Sequence, residues 1–142
     1  MRRWPRLAEF VAPAPLCAVA LMAVNDRWLK PAFHNAWTGK LSDLAICFFL
    51  PVYLSALLAV ATRWSLRARL ACGATATGAL FAAIKVSQPA ADLFCRALAL
   101  VGRPLGMTHF RAVADPTDLV ALPLIWVAVA YGLHRAPPGV TR

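Results

Sequence analysis

The sequence predicts an all-α polytopic membrane protein, with four transmembrane helices and a short amphipathic helix before the last one. Hydrophobic residues make up 61% of the 142 positions, and the mean hydropathy is +0.63. Soluble domains are usually only about 45–50% apolar. The apolar residues form four long runs, and the basic residues cluster between these runs. This pattern favours a lipid bilayer as the partner and argues against nucleic acid, whose binding surfaces interleave basic and aromatic side chains.

Each apolar run is predicted to be one span of a single membrane domain covering residues 1–142. A helix needs roughly 20 mostly apolar residues to cross a bilayer. The second run reaches this length alone, and the others reach it with arginine or lysine at their ends, where such side chains snorkel to the interface. The expected spans are residues 7–24, 41–62, 66–86 and 117–133, and the amphipathic interfacial helix covers residues 90–102.

The N-terminal segment allows two interpretations. Its basic start, apolar middle and small residues near the end are typical of a signal peptide. The later spans, however, need an anchor whose N-terminus lies inside, and this segment supplies one. We favour an uncleaved first span and leave cleavage open.

The distribution of charge predicts that both termini are cytoplasmic. In this orientation the inner segments carry arginine almost alone, while the outer segments carry arginine, lysine and aspartate together. The positive-inside rule favours the arginine-rich segments in the cytoplasm. Every lysine and every aspartate of the chain then lies toward the outer face.

Two motifs precede or open the second span. In "NDRWLK", Asp26 and Lys30 are four residues apart, a spacing that lets side chains meet on a helix. In "TGKLSDL", Thr38 is a candidate N-cap and Lys40 an anchor at the surface. Asp43 lies deeper, where a charge normally faces a partner or a wet cavity.

Two further motifs lie at the outer ends of the third and fourth spans. Lys85 in "AAIKVSQP" either snorkels to the interface or pairs with an aspartate of another span. In "DPTDL", Asp115 is the expected N-cap, Pro116 the first helical residue, and Asp118 points toward the layer of Asp43 and Lys85. We therefore expect a polar layer at the outer side, formed by the following residues: Asp26, Lys30, Lys40, Asp43, Lys85, Asp115 and Asp118.

The remaining polar residues give weaker signals. His34 and His109 are interpreted as ordinary loop residues, and the four cysteines are scattered without the spacing of a zinc site. No cofactor and no metal are predicted. Small residues in "ACGATATGAL" on the third span could support close helix packing, within the chain or between chains of an oligomer.

The order of these motifs resembles a family of small, poorly characterised bacterial membrane proteins. The segments that carry the resemblance are "NDRWLK", "TGKLSDLAICFFLP", "AAIKVSQP" and "DPTDLVALP". More distantly, the layout is similar to the VanZ-like family of short multi-span helical proteins, in which an acid–lysine motif opens an early span and an aspartate lies in the last. Asp118 matches the late aspartate better than Lys40 and Asp43 match the early motif. The resemblance implies a role at the bacterial envelope and a place in the cytoplasmic (inner) membrane.

Three functions follow as hypotheses. The polar layer binds or processes an anionic lipid or envelope precursor, with Asp43, Asp118 and Lys85 as the candidate catalytic residues. Alternatively, the protein is not an enzyme and its ion pairs lock the helix bundle. A third alternative is an element of ion- or proton-coupled transport.

Overall fold

A computed structural model describes residues 11–33, 35–106 and 109–135, and these residues form helices and connecting segments without any β-strand. The described residues contain six α-helices: α1 Pro13–Val24, α2 Lys30–Phe33, α3 Ala36–Ala61, α4 Leu66–Val86, α5 Gln88–Gly102 and α6 Pro123–His134. One π-helix, π1 Asn25–Leu29, joins α1 to α2. Two 3₁₀ helices are η1 Arg103–Leu105 and η2 Pro116–Ala121. The all-helical fold class predicted from the sequence is confirmed.

Among the described residues, three helices are long and apolar enough to cross a membrane: Trp37–Ala61, Leu66–Val86 and Pro116–His134. Only 39%, 28% and 28% of the most apolar stretch of each is buried within the chain. Apolar side chains remain outside, and three of them, Val60, Trp126 and Val127, are more than half exposed. Lipid is the environment in which such surfaces are stable, so the structure supports a membrane protein.

The predicted second span begins earlier in the structure than in the sequence prediction. Asn35, rather than Thr38, is the N-cap, and its side-chain oxygen accepts a 3.0 Å hydrogen bond from the Thr38 backbone N–H. The Thr38 hydroxyl donates to the Asn35 carbonyl at 2.8 Å. The prediction of Thr38 as N-cap is therefore wrong, because the helix already begins at Ala36, Asn35 caps it, and Thr38 is the residue whose backbone N–H the cap accepts from.

The third predicted span coincides with α4, and the predicted amphipathic helix is α5. Ser87 caps α5, since its hydroxyl accepts from the Ala90 backbone N–H. The predicted fourth span begins as η2 and continues as α6. The first predicted span lies partly outside the described residues, and its described part is α1.

The described residues divide into two compact units, one within residues 1–78 and 121–142 and the other within residues 79–120. In the first unit, α3 packs against α1, π1 and α6. Its buried positions are small or slender: Ala45, Cys47, Val52, Ala56 and Ala59 are at most 4% exposed. Small residues let neighbouring helices approach closely. The prediction of one membrane domain for the whole chain stays a prediction.

Close packing is sharpest where α4 meets α3 in the first unit. A Cβ atom placed on Gly73 would lie 2.5 Å from the Pro51 carbonyl oxygen and 3.3 Å from Cβ of Leu54. Real side chains do not come this close to a backbone oxygen, so only glycine fits here. Gly73 belongs to the small-residue segment of the third predicted span, and its packing partner is inside the chain.

Candidate functional site

An ion pair between Lys85 and Asp118 is the centre of the polar site in the second unit. Lys85 lies in the last turn of α4, and Asp118 lies in the first turn of η2. Lys85 Nζ is 2.7 Å from Asp118 Oδ2, and each side chain is 13% exposed. Of the two alternatives for Lys85, the structure therefore shows pairing with an aspartate of another predicted span.

The surroundings of Lys85 add a second stabilising contact. Its ammonium lies 5.4 Å from the centre of the Phe81 ring, one turn earlier on α4. A cation over an aromatic face is attracted by the ring quadrupole, and more strongly where water is excluded. The 2.7 Å hydrogen bond from Lys85 to Asp118 is charge-assisted, and such bonds are about twice as strong as neutral ones. Removing one partner would leave the other as a poorly solvated charge, which is costly.

Asp115 has the capping role predicted for it. Its Oδ1 accepts hydrogen bonds from the backbone N–H of Thr117 at 2.9 Å and from the Thr117 hydroxyl at 2.8 Å. Its carbonyl oxygen accepts from the Asp118 N–H at 3.0 Å. These bonds fix the start of η2, which in turn holds the Asp118 carboxylate toward Lys85.

A second polar cluster, in the first unit, joins "NDRWLK" to "TGKLSDL". Lys30 Nζ lies 2.6 Å from Asp26 Oδ1, which confirms that the two residues meet. The hydroxyl of Ser42 donates to the same Asp26 oxygen at 2.7 Å. Asn25 Nδ2 donates to Ser42 Oγ at 2.7 Å and to the carbonyl oxygen of Thr38. We call Asn25, Asp26, Lys30, Thr38 and Ser42 the π1–α3 cluster.

Burial separates the two ends of the π1–α3 cluster. The side chains of Lys30 and Asp26 are 40% and 47% exposed, so their ion pair contributes little on its own in water. Asn25 is 0% exposed, and Ser42 is 8% exposed. The Asn25 amide and the Ser42 hydroxyl are therefore the groups whose burial costs most free energy, and their hydrogen bond is the one whose loss would destabilise the cluster most.

Asn25 and Ser42 were not among the residues predicted for the site. Both lie inside the quoted motifs, but the sequence does not indicate that an uncharged polar residue near the end of a span will be buried. The available signal was the pairing of motifs: a buried amide needs partners, and here the Ser42 hydroxyl and the Thr38 carbonyl oxygen, one turn apart on the next helix, accept from it.

Lys40 and Asp43 both lie near the start of α3, and both are half-buried. They belong to the first unit, whereas Lys85, Asp115 and Asp118 belong to the second. The structure brings Lys85 together with Asp118, and Asp26 with Lys30. The convergence of Asp43 with Lys85 and Asp118 in one layer stays a prediction.

One arginine expected at the inner interface is buried. Arg69 is 5% exposed, and its Nη1 donates a 3.0 Å hydrogen bond to the Ser55 carbonyl oxygen on α3. Arg69 therefore packs against α3 although it lies near the end of a predicted span. A guanidinium bound to a helix carbonyl satisfies part of its hydrogen-bonding capacity inside the protein, which gives α3 and α4 a polar cross-link.

A groove of about 620 Å³ lies in the second unit, between α5 and the segment that precedes η2. We call it the α5 groove. One wall is formed by α5, and the other by residues His109 to Ala112. The charged and aromatic residues among those lining it are Asp92, Arg96, His109, Phe110 and Arg111. His34, by contrast, lies outside the described residues.

The described residues contain no group of three or more histidine, cysteine, aspartate or glutamate side chains that could hold a metal ion. The four cysteines all lie among the described residues and form no disulfide there, and Cys95 lines the α5 groove. The polar arrangements in this part of the chain are thus ion pairs, caps and buried hydrogen bonds. Arginines supply the cationic side chains of the groove.

Comparison with known proteins adds no assignment, since no family model, curated protein or solved structure matches the chain.

Proposed function

We propose that this chain is an integral protein of the bacterial cytoplasmic membrane whose polar residues lock its helices in place. In this proposal the chain has four spans, the first beginning near residue 7, and both termini lie in the cytoplasm. Three apolar helices of spanning length support the membrane assignment. The charge distribution of the sequence and the resemblance to small bacterial membrane proteins support the orientation and the compartment.

The observation that carries the locking role is the Lys85–Asp118 ion pair. Its charges lie 2.7 Å apart, so each largely neutralises the other. With each side chain only 13% exposed, little of either group is open to an incoming substrate. A general acid or nucleophile needs access to the reacting atoms. The pair is better suited to holding the end of α4 beside η2.

The π1–α3 cluster supports the same role in the first unit. Its buried hydrogen bonds connect the end of the first helical segment to the start of α3. The two hydrogen bonds of the Asn25 amide nitrogen form in only one arrangement of the helices, so they disfavour a sliding of one helix along the other. The ion pair, the Asp115 cap and the π1–α3 cluster together account for five of the charged residues without an enzymatic reaction: Asp26, Lys30, Lys85, Asp115 and Asp118.

The alternative is that the expected polar layer binds or processes an anionic lipid or envelope precursor, with Asp43, Asp118 and Lys85 as the candidate catalytic residues; it is suggested by the expected convergence of lysines and aspartates at the outer face. It predicts that Asp43→Asn and Asp118→Asn leave folding and insertion unchanged and abolish a function of the wild-type protein. Ion- or proton-coupled transport predicts flux through liposomes that contain the purified protein.

The locking role is tested by Asp118→Asn and Lys85→Gln, with Arg103→Gln as the matched control. Arg103 belongs to the same unit but is exposed and lies outside the lining of the α5 groove. We expect both variants of the pair to accumulate less in carbonate-washed membranes and to melt at lower temperature in detergent, while Arg103→Gln behaves as wild type. A Tm of Asp118→Asn equal to that of wild type would contradict the locking role.

A further inference from the structure

The α5 groove has the charge and shape of an anion site. Two guanidinium groups, from Arg96 on α5 and Arg111 on the facing segment, line it together with the imidazole of His109. Asp92 is the one carboxylate among the lining residues, and its Oδ1 already accepts a 2.8 Å hydrogen bond from Gln88 Nε2. Positive charge therefore exceeds negative charge in the groove. Arginine is also the side chain whose fork of donors best matches phosphate oxygens.

Gln88 holds the two walls of the groove together. Besides its bond to Asp92, its Nε2 donates to the Ala112 carbonyl oxygen at 3.1 Å. Its Oε1 accepts from the Ala114 backbone N–H at 2.9 Å. One side chain at the start of α5 thus holds the backbone of the segment that carries His109 and Arg111 beside α5.

The same helix presents an apolar face beside the groove. Leu93, Leu100 and Val101 are 68%, 61% and 78% exposed. With 3.6 residues per turn these three residues share one side of α5, and Asp92 and Arg96 lie on the neighbouring side. A helix with this arrangement lies in the membrane interface, with its apolar face among acyl chains and its polar face at the level of the headgroups.

We propose that the α5 groove binds the phosphate of an anionic phospholipid headgroup at the membrane interface. Arg96 and Arg111 donate to the phosphate oxygens from opposite walls, and the exposed leucine and valine side chains contact the acyl chains of the same lipid. This inference rests on the proposed membrane placement, but it does not depend on the locking role of Lys85 and Asp118, neither of which lines the groove.

The experiment is a titration of the detergent-purified full-length chain followed by native mass spectrometry. The probes are short-chain phosphatidylglycerol, phosphatidylcholine of the same chain length, and inorganic phosphate. The variants are Arg96→Gln and Arg111→Gln, and the matched control is Arg103→Gln, which removes an exposed arginine of the same unit that does not line the groove. Parallel carbonate extraction of membranes shows whether each variant is still integral.

We expect wild type to bind phosphatidylglycerol in preference to phosphatidylcholine. Each groove variant should weaken that binding roughly tenfold, the loss expected for one charge-assisted hydrogen bond, while Arg103→Gln should change it less than twofold. Equal affinity in all variants, or an equal loss in Arg103→Gln, would overturn the site. Inorganic phosphate bound as tightly as phosphatidylglycerol would overturn the lipid as its ligand. A chain that resists carbonate extraction yet shows no lipid preference would refute the groove alone, whereas extraction by carbonate would refute the membrane proposal itself.

Discussion

The side-chain amide of Asn25 donates a 2.7 Å hydrogen bond to the Ser42 hydroxyl, 17 positions later in the chain. Asn25 is the first residue of π1, and Ser42 lies on α3. A π-helical segment shifts the side chains by an extra residue per turn, and such segments recur where a particular side chain must be aimed. The contact turns two motifs that are separate in sequence into one cluster.

We expect Asn25→Ala to lower the free energy of unfolding by about 1–3 kcal/mol, because it removes the buried donor to Ser42 and Thr38. Chemical or thermal unfolding in detergent measures this. Asp26→Asn is the control, since the exposed ion pair that it removes is worth at most about 1 kcal/mol. An Asp26→Asn loss as large as that of Asn25→Ala would show that burial does not decide the energetics of the cluster.

Gly73 and Gly39 provide a matched pair of glycine substitutions. A Cβ atom on Gly73 would meet the Pro51 carbonyl oxygen at 2.5 Å, whereas one on Gly39 meets nothing within 4 Å. Gly73→Ala should therefore destabilise the protein by about 1–3 kcal/mol, the usual cost of overpacking. Gly39→Ala should stabilise it by up to about 1 kcal/mol, because alanine is the better helix former. A lower Tm for Gly73→Ala together with a higher Tm for Gly39→Ala would confirm this difference. Equal changes in Tm would contradict the close approach of α3 and α4.

Asp115→Ala should cost about 0.5–2 kcal/mol, the usual value of an N-terminal cap. The side chain accepts from both the backbone and the hydroxyl of Thr117, so its removal frees the start of η2. Hydrogen exchange at the Thr117 amide should become faster in this variant. Asp115→Asn keeps the acceptor oxygen and should leave exchange near the wild-type rate, and a loss of protection in both variants would assign the effect to charge instead of capping.

The number of spans determines which side of the membrane each terminus occupies. Four spans place both termini in the cytoplasm, so a fluorescent protein fused at either end should fluoresce, and alkaline phosphatase fused at the C-terminus should be inactive. Three spans would place the termini on opposite sides. Active alkaline phosphatase at the C-terminus, combined with a fluorescent N-terminal fusion, would contradict the proposed topology.

The sequence predicted the helices best where apolar residues and charges alternate sharply. The limits of α4, Leu66 and Val86, coincide with the predicted third span, which has charged residues such as Arg67 and Lys85 near its ends, and these signals are local. The start of α3 was missed because Asn35 is a cap that becomes recognisable only with the geometry of the next residues. Arg69 was missed because its acceptor, the Ser55 carbonyl, is a backbone atom that exists as a partner only after α3 and α4 have packed.

In the candidate sites, too, some residues could be predicted from the sequence and others could not. Lys85 and Asp118 could be proposed as partners because opposite charges were expected at the same depth. Asn25 and Ser42 are uncharged, so neither hydropathy nor charge marks them. The α5 groove depends on Gln88 holding residues His109 to Ala112 beside α5, and a contact across more than twenty positions leaves no periodic signal in the sequence.

Charge exchange at Lys85 and Asp118 tests the locking role most directly. Each single variant, Lys85→Asp or Asp118→Lys, places two like charges together and should destabilise the protein by about 3–5 kcal/mol, the cost of breaking a buried pair. The double variant restores opposite charges 33 positions apart and should recover a large part of that loss, measured as Tm of the purified protein in detergent. If the double variant loses as much stability as the two single variants lose together, the ion pair does not act as a lock.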